Sequence, residues 1–472
     1  VLFNSLEFAL FFAAVFVLSL VLPHRAQNRM LLAASYLFYS AWDWRFLGLI
    51  ALSTLVDFGV GLRLSGTSDP RIRRWWVTLS VVTNLGILGA FKYAGFFAES
   101  LADLLASFGV GLSPFIAGVA LPVGISFYTF QSLSYTIDIY RYRLEPTRDP
   151  LDFALFVAFF PQLVAGPIER ARRLLPQILE PRQRSLERTS SGLWLVLWGT
   201  FKKVVIADNL APLVDAVYAP GAAPTAIEVL VATYAFAIQI YCDFSGYTDV
   251  ARGTARMLGF ELMLNFRLPY FASSPAEFWR RWHISLSTWL RDYLYISLGG
   301  NRRGSVVTLR NLALTMILGG LWHGAAWNFV LWGAFHAGLL IAHRLLQPRL
   351  ARVVPAGGVS RSAWTCASVI LTFHLVCLGW LFFRADSLTR IGALLGSFAA
   401  GLEPGLAGAW VGPLALLCAP LLIVQLLQLS SGRVEAPPRI SLPLRIGVAM
   451  LAAIAIVLLG EDYGEPFIYF QF

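Results

Sequence analysis

Apolar blocks recur along almost the whole chain, near 6–22, 30–61, 77–98, 115–137, 151–166, 193–207, 225–242, 306–320, 325–343, 364–383, 409–428 and 441–459. A helix crosses the hydrocarbon core of a bilayer with about 20 apolar residues, and in lipid every backbone polar group must be satisfied inside a helix or a closed barrel. The blocks therefore predict an all-α polytopic membrane protein. The 30–61 block has room for two helices, hinged around Trp42-Asp43-Trp44. Several blocks are too short to span, which predicts helices that stop inside the protein or a locally thinned bilayer. The total is about a dozen transmembrane and re-entrant helices. No repeat of 20–50 residues is visible, so residues 1–472 read as a single domain.

Composition agrees. Charged residues make up 14% of the chain, against about 25% in soluble domains. The net charge of +10 needs no nucleic acid to explain it, because the arginines fall between the apolar blocks. They cluster at 63–74, 141–188, 252–303, 344–361 and 433–445, and neither 209–250 nor the segment after Arg445 holds a Lys or Arg. Positive-inside topology puts the clusters in the cytosol and the C-terminal tail, with Glu461, Asp462 and Glu465, outside. The N-terminal block has no basic leader and no small-residue cleavage site, and reads as a first membrane helix. The four cysteines sit in apolar surroundings without a CxxC, which predicts packing, with no disulfide and no metal site.

One segment, 272–295, interleaves aromatic and basic residues. Ser274 suits an N-cap, Pro275 the first helical position and Glu277 a capping box. Trp279, Trp282, Leu286, Trp289 and Tyr293 keep helical spacing, with Arg280, Arg281 and Arg291 among them. The spacing predicts one interfacial helix on the cytosolic side, carrying His283 with Trp279 and Ser287 on its face.

Six histidines are present. His24 and His343 lie beside Arg at helix ends, and His336 and His374 read as hydrogen-bonded packing residues. His323 differs. It lies in Gly319-Gly320-Leu321-Trp322-His323-Gly324-Ala325-Ala326-Trp327-Asn328, inside an uncharged stretch flanked by Arg310 and Arg344. With both arginines cytosolic, the stretch forms a hairpin of two short arms with His323 near the turn. An ionisable group at membrane depth is a functional candidate, and the glycines admit close approach of backbone or ligand. His323 is the candidate general base, with His283 as a second acid/base or positioning group. Asp243, at the end of an apolar helix before a Ser-Gly break, is suited to orient a His or pair with an Arg. No P-loop, G-x-S-x-G, H-E-x-x-H or dinucleotide fingerprint is present.

WRRWHISLSTWLRDYLY followed by LWHGAAWNF resembles the membrane-bound O-acyltransferase family. YCDFSGYTD, LNFRLPYFASSPAEFWRRWH, FPQLVAGPIER and FFRADS are similar to its bacterial alginate O-acetyltransferase-like branch, and the match covers most of the chain from Leu121 onward. The resemblance implies helices ringed around a central tunnel, cytosolic acetyl-CoA as donor and an acceptor on the far side. It makes His323 the family's invariant histidine and His283 its second signature position. Arg280, Arg281 and Arg291 become candidates for the CoA phosphates. Trp322, Asn328 and Asp243 join them as candidate substrate contacts. The tail Phe467-Ile468-Tyr469-Phe470-Gln471-Phe472 resembles the C-terminal motif of a small partner in teichoic acid D-alanylation, where the Tyr is implicated as acyl relay. Tyr469 is thereby a third catalytic candidate.

The implied protein is an O-acetyltransferase of the bacterial inner membrane, surrounded by membrane lipids. It acts on an exported polysaccharide with a periplasmic SGNH-hydrolase-like partner. The alternatives are D-alanyl transfer within the same family, and a transporter or flippase without chemistry. The paired halves with matching broken helices expected of a transporter are not visible.

Overall fold

The computed structural model describes residues 3, 5–111, 121–163, 166–355, 357–432, 434, 441–460 and 467–468. Residues 115–120 of one predicted block, Glu461, Asp462 and Glu465 of the tail, and Tyr469 lie outside the described residues. Among those described, all regular structure is helical, and seven helical stretches are long and apolar enough to cross a membrane. The chain is a multi-pass membrane protein. It divides into two compact units, Val1–Gly192 with Ala251–Met263, and Leu193–Val250 with Leu264–Phe472.

In the first unit the 30–61 block is two helices, His24–Asp43 and Leu47–Ser65, joined by a turn over Trp44–Phe46 as the sequence predicts. The core of this unit is polar at one point. Asp57 of Leu47–Ser65 is fully buried. It accepts from Ser80 Oγ at 2.6 Å and Asn84 Nδ2 at 2.9 Å on Pro70–Leu88, and from Ser132 on Ile125–Tyr140. Three helices thus share one carboxyl group. Such hydrogen bonds contribute about 0.6 kcal/mol each between membrane helices, and their value here is register. Arg73 adds a second tie. Its guanidinium donates to Leu64 O and to Ile139 O and Tyr140 O, the last two at 2.9 and 3.0 Å. One cation thereby meets the carbonyl ends of two helices, where the helix dipole is negative.

The FPQLVAGPIER segment leads into a buried acid. Glu169 is fully buried, and its carboxylate accepts the Met263 N–H. Burial pushes its pKa up to about 7, against the opposing pull of Arg173, Arg170 and Arg252. The folded pKa therefore lies above the unfolded one. The contribution of Glu169 to stability is fully present below about pH 4 and is lost as pH rises through about 7, because only the unfolded chain then releases the proton. Glu169→Gln removes that penalty. Its thermal midpoint in detergent should exceed wild type by several degrees at pH 8 and by much less at pH 5. An equal difference at both pH values would rule the argument out.

In the second unit Ala226–Val250 belongs to a helix that runs on without interruption to Met257. The break expected at Ser245-Gly246 is absent. Gly246 instead lets two backbones touch: a Cβ there would stand 2.7 Å from Gly199 O, and one at Gly199 would stand 2.6 Å from Gly246 O. The contact brings Lys202 to Ser245 and Asp249, and Lys203 to Asp243.

The predicted hairpin forms from Ser305–His323 and Trp327–Val353. Its arms are not short. At 1.5 Å per residue each is long enough to cross, because the helices continue through Arg310 and Arg344 to the polar residues beyond them. The arms meet at glycine: a Cβ on Gly333 would stand 2.5 Å from Met316 O, and one on Gly320 would overlap Phe329 O.

Candidate active site

All the described residues of the candidate site belong to the second unit. His323 is the last residue of Ser305–His323 and is 3% exposed. Among the described residues, the rings around it are Trp332 at 5.0 Å, Trp322 at 5.1 Å, Phe383 at 5.5 Å and His283 at 6.3 Å between centroids. Tilted and edge-on ring pairs of this kind contribute about 0.5–1.5 kcal/mol each beyond burial, so the imidazole is held from several sides. The sequence places the two histidines forty positions apart; the fold makes them neighbours.

His283 reaches that place through a break. The single helix expected over 275–293 is two, Pro275–Arg281 and Ile284–Trp289, the second continuing as a wider turn over Leu290–Tyr295. His283 lies between them with φ +42, a left-handed conformation that costs a non-glycine residue about 1–2 kcal/mol. The loop carrying Asn265 compensates. Asn265 O accepts the Ile284 N–H at 2.9 Å and Asn265 Oδ1 the Ser285 N–H at 3.2 Å, while Arg267 N–H donates to Arg281 O. The helix start follows the prediction, with Ser274 Oγ accepting the Glu277 N–H. The Glu277 carboxylate, however, closes on Ser273 rather than Ser274.

The break turns the His283 ring into the interior, 4.7 Å from Phe244 and 5.8 Å from Trp322. Burial pushes its pKa down to about 3, so it stays neutral at physiological pH. A ring that resists protonation so strongly is a weak base, suited to orient rather than to accept a proton. His336, expected to be hydrogen-bonded, instead packs on Phe278, Trp279 and Trp332, and neither ring nitrogen has a hydrogen-bond partner among the described residues. His374 does have one, in Ile370 O at 2.7 Å.

His323 lines a cavity of about 80 Å³. Trp279, Leu286, Leu290, Met316, Trp332 and Leu340 make it apolar, and Ser287, Thr315 and His323 are its polar points. The other candidates fall in different places. Arg280 and Arg291 are exposed, while Arg281 pairs with Glu277 at 2.6 Å. Arg291 also meets Asp292 at 2.7 Å. Trp322 is buried against both histidine rings. Asn328 is occupied: its amide donates to Ala385 O at 2.8 Å and Phe383 O at 3.4 Å, which fastens the FFRADS segment behind His323. Asp243 meets Lys203 Nζ at 2.8 Å and accepts the Ile468 N–H at 2.9 Å. Sequence reasoning missed Lys203 and Asp208, whose bond to each other is 2.6 Å. A lysine in an otherwise apolar block was the available signal.

A family model described as MBOAT, membrane-bound O-acyltransferase family, matches residues 122–382, more than half of the chain. Over the full length of both proteins the chain is 41% identical to a probable alginate O-acetylase from Azotobacter vinelandii. It is 45% identical to a probable alginate O-acetylase from Pseudomonas aeruginosa, over 82% of this chain and 72% of that one. A peptidoglycan O-acetyltransferase from Helicobacter pylori is 35% identical over 82% of this chain and 77% of its own.

Proposed function

Because the chain belongs to the membrane-bound O-acyltransferase family and is an O-acyltransferase, we propose that it moves acetyl from cytosolic acetyl-CoA to an exported polysaccharide across a bacterial inner membrane. The observation that carries this reading is the small apolar cavity lined by His323. A dry cavity of about 150 Å³ holds benzene, so one of about 80 Å³ suits a short acyl group and not a long chain. Among the described residues no carboxylate lines it to receive an ammonium, which favours acetyl over D-alanyl. The similarity to acetylases of alginate and peptidoglycan supports a glycan hydroxyl as final acceptor.

In the proposed chemistry the Tyr469 hydroxyl attacks the thioester carbonyl while His323 takes its proton. The carbon–sulfur bond breaks, and the departing thiolate receives that proton from the imidazolium. The products are free CoA and an acetyl ester on Tyr469. Phenol needs such a base, being a poor nucleophile at neutral pH. The ester then passes to a hydroxyl of the SGNH-hydrolase-like periplasmic partner and on to the glycan, and the proton returns to the tyrosine oxygen. His283 orients. The basic clusters face the cytosol and the acidic, Arg-free tail faces the periplasm, which supplies the direction of transfer. The test is purified protein incubated with acetyl-labelled CoA. Release of free CoA with label on the chain supports the reading; neither CoA release nor label would overturn it.

Exposed Arg280 is the candidate for the CoA phosphates that no carboxylate among the described residues holds; Arg281 and Arg291 share theirs with Glu277 and Asp292. Arg280→Ala should raise KM for acetyl-CoA roughly two- to fivefold, the range of an exposed ion pair. The effect should shrink at high salt, which screens exposed charge. An unchanged KM at low salt moves the phosphate site elsewhere.

A further inference from the structure

Phe467 and Ile468 are 0% and 5% exposed, as buried as the core of the unit they join. The Phe467 ring lies 4.6 Å from Tyr247 and 5.6 Å from Phe244, one helical turn apart on Ala226–Met257. Phe244 is also the ring that meets His283 at 4.7 Å. The backbone of the same segment is tied as well, by the bond from the Ile468 N–H to Asp243 Oδ2. The second Asp243 oxygen meets Lys203, which in turn meets Asp208, and each of these three side chains is about 3% exposed.

Lys203 stands between the carboxylates of Asp243 and Asp208. A backbone N–H gives Asp243 a further partner without adding a charge, and a hydrogen bond to an ionised acceptor is about twice as strong as a neutral one. Asp243 is therefore fixed on one side by Lys203 and presents its other oxygen to the C-terminal segment. The geometry joins the site to the tail through a single helical turn: Asp243 holds the backbone at 468, while Phe244 touches both Phe467 and His283.

We infer that Asp243, braced by Lys203, is a positioning residue that docks the C-terminal segment in register beside the histidine pair. The inference rests on the proposed acyl-carrying role of Tyr469, the residue that follows Ile468. It assigns the YCDFSGYTD acid to placement of the nucleophile rather than to contact with the donor.

Two variants test it on the full-length protein. Asp243→Asn weakens the acceptor; Ile468→Pro deletes the donating N–H and leaves Asp243, Lys203 and Asp208 intact. In Asp243→Asn, deuterium exchange of the C-terminal peptide should quicken. In both variants kcat for acetyl transfer should fall about tenfold or more, with KM for acetyl-CoA unchanged, as misplacement of a reacting group predicts. Unchanged exchange in Asp243→Asn, or wild-type kcat in Ile468→Pro, overturns the inference. A raised KM in Ile468→Pro also overturns it, since that assigns the segment to donor binding. If Asp243→Asn fails to fold, Ile468→Pro decides alone. The Tyr469 reading fails differently: full transfer by Tyr469→Phe removes the relay, while faster exchange in Asp243→Asn would still show that Asp243 holds the tail.

Discussion

His323→Ala abolishes acetyl transfer, by a factor of about 10² to 10⁴ for loss of a general base, while the protein still expresses and inserts. The imidazole ends one hairpin arm, lines the cavity and lies against the rings of Trp332 and Phe383. The arms remain joined by the backbone contacts at Gly320 and Gly333, so the fold does not depend on the histidine. His283→Ala should cost less in rate, because a neutral ring that orients leaves the proton acceptor in place. The assay is acetyl release from labelled acetyl-CoA by purified variants of equal thermal stability. Wild-type turnover by His323→Ala would remove the base from this position.

Tyr469→Phe loses glycan acetylation, to less than about a hundredth of wild type if phenol oxygen is the covalent carrier. Phenylalanine keeps the ring and anchors an apolar tail nearly as well as tyrosine, so an anchoring role predicts almost no change. Mass spectrometry of the C-terminal peptide after incubation with labelled acetyl-CoA separates the two. Label on the wild-type peptide and none on the variant supports the relay. Full acetylation by Tyr469→Phe, with no label on that peptide, means that acetyl passes directly from CoA to a partner or glycan.

What was legible in the sequence follows from which forces are local. Length and apolarity placed most of the helices, because each membrane helix satisfies its own backbone. His323 stood out because an ionisable residue between glycines in an uncharged stretch has few bland explanations. The break at His283 was not legible. Trp279, Trp282, Leu286 and Trp289 keep helical spacing, and the interruption comes from Asn265, a partner eighteen positions away whose approach no periodicity reports. The supposed break at Gly246 failed for the converse reason. Glycine there serves a crossing with Gly199, and one costs an isolated helix what the other recovers in contact. Asp243 was expected to orient a His or pair with an Arg; its partners are instead Lys203 on the 201–207 turn and the Ile468 N–H of the tail.

The glycine contacts of the hairpin bear on how such an enzyme can be retooled. With Gly320 against Phe329 O and Gly333 against Met316 O, the backbone around His323 has no slack to move aside for a bulkier acyl group. New donor preference must come from trimming Leu286, Leu290, Met316 or Leu340, side chains that line the cavity. Widening by truncation is thus open to engineering, one methylene at a time, whereas substitution at the two glycines closes the route.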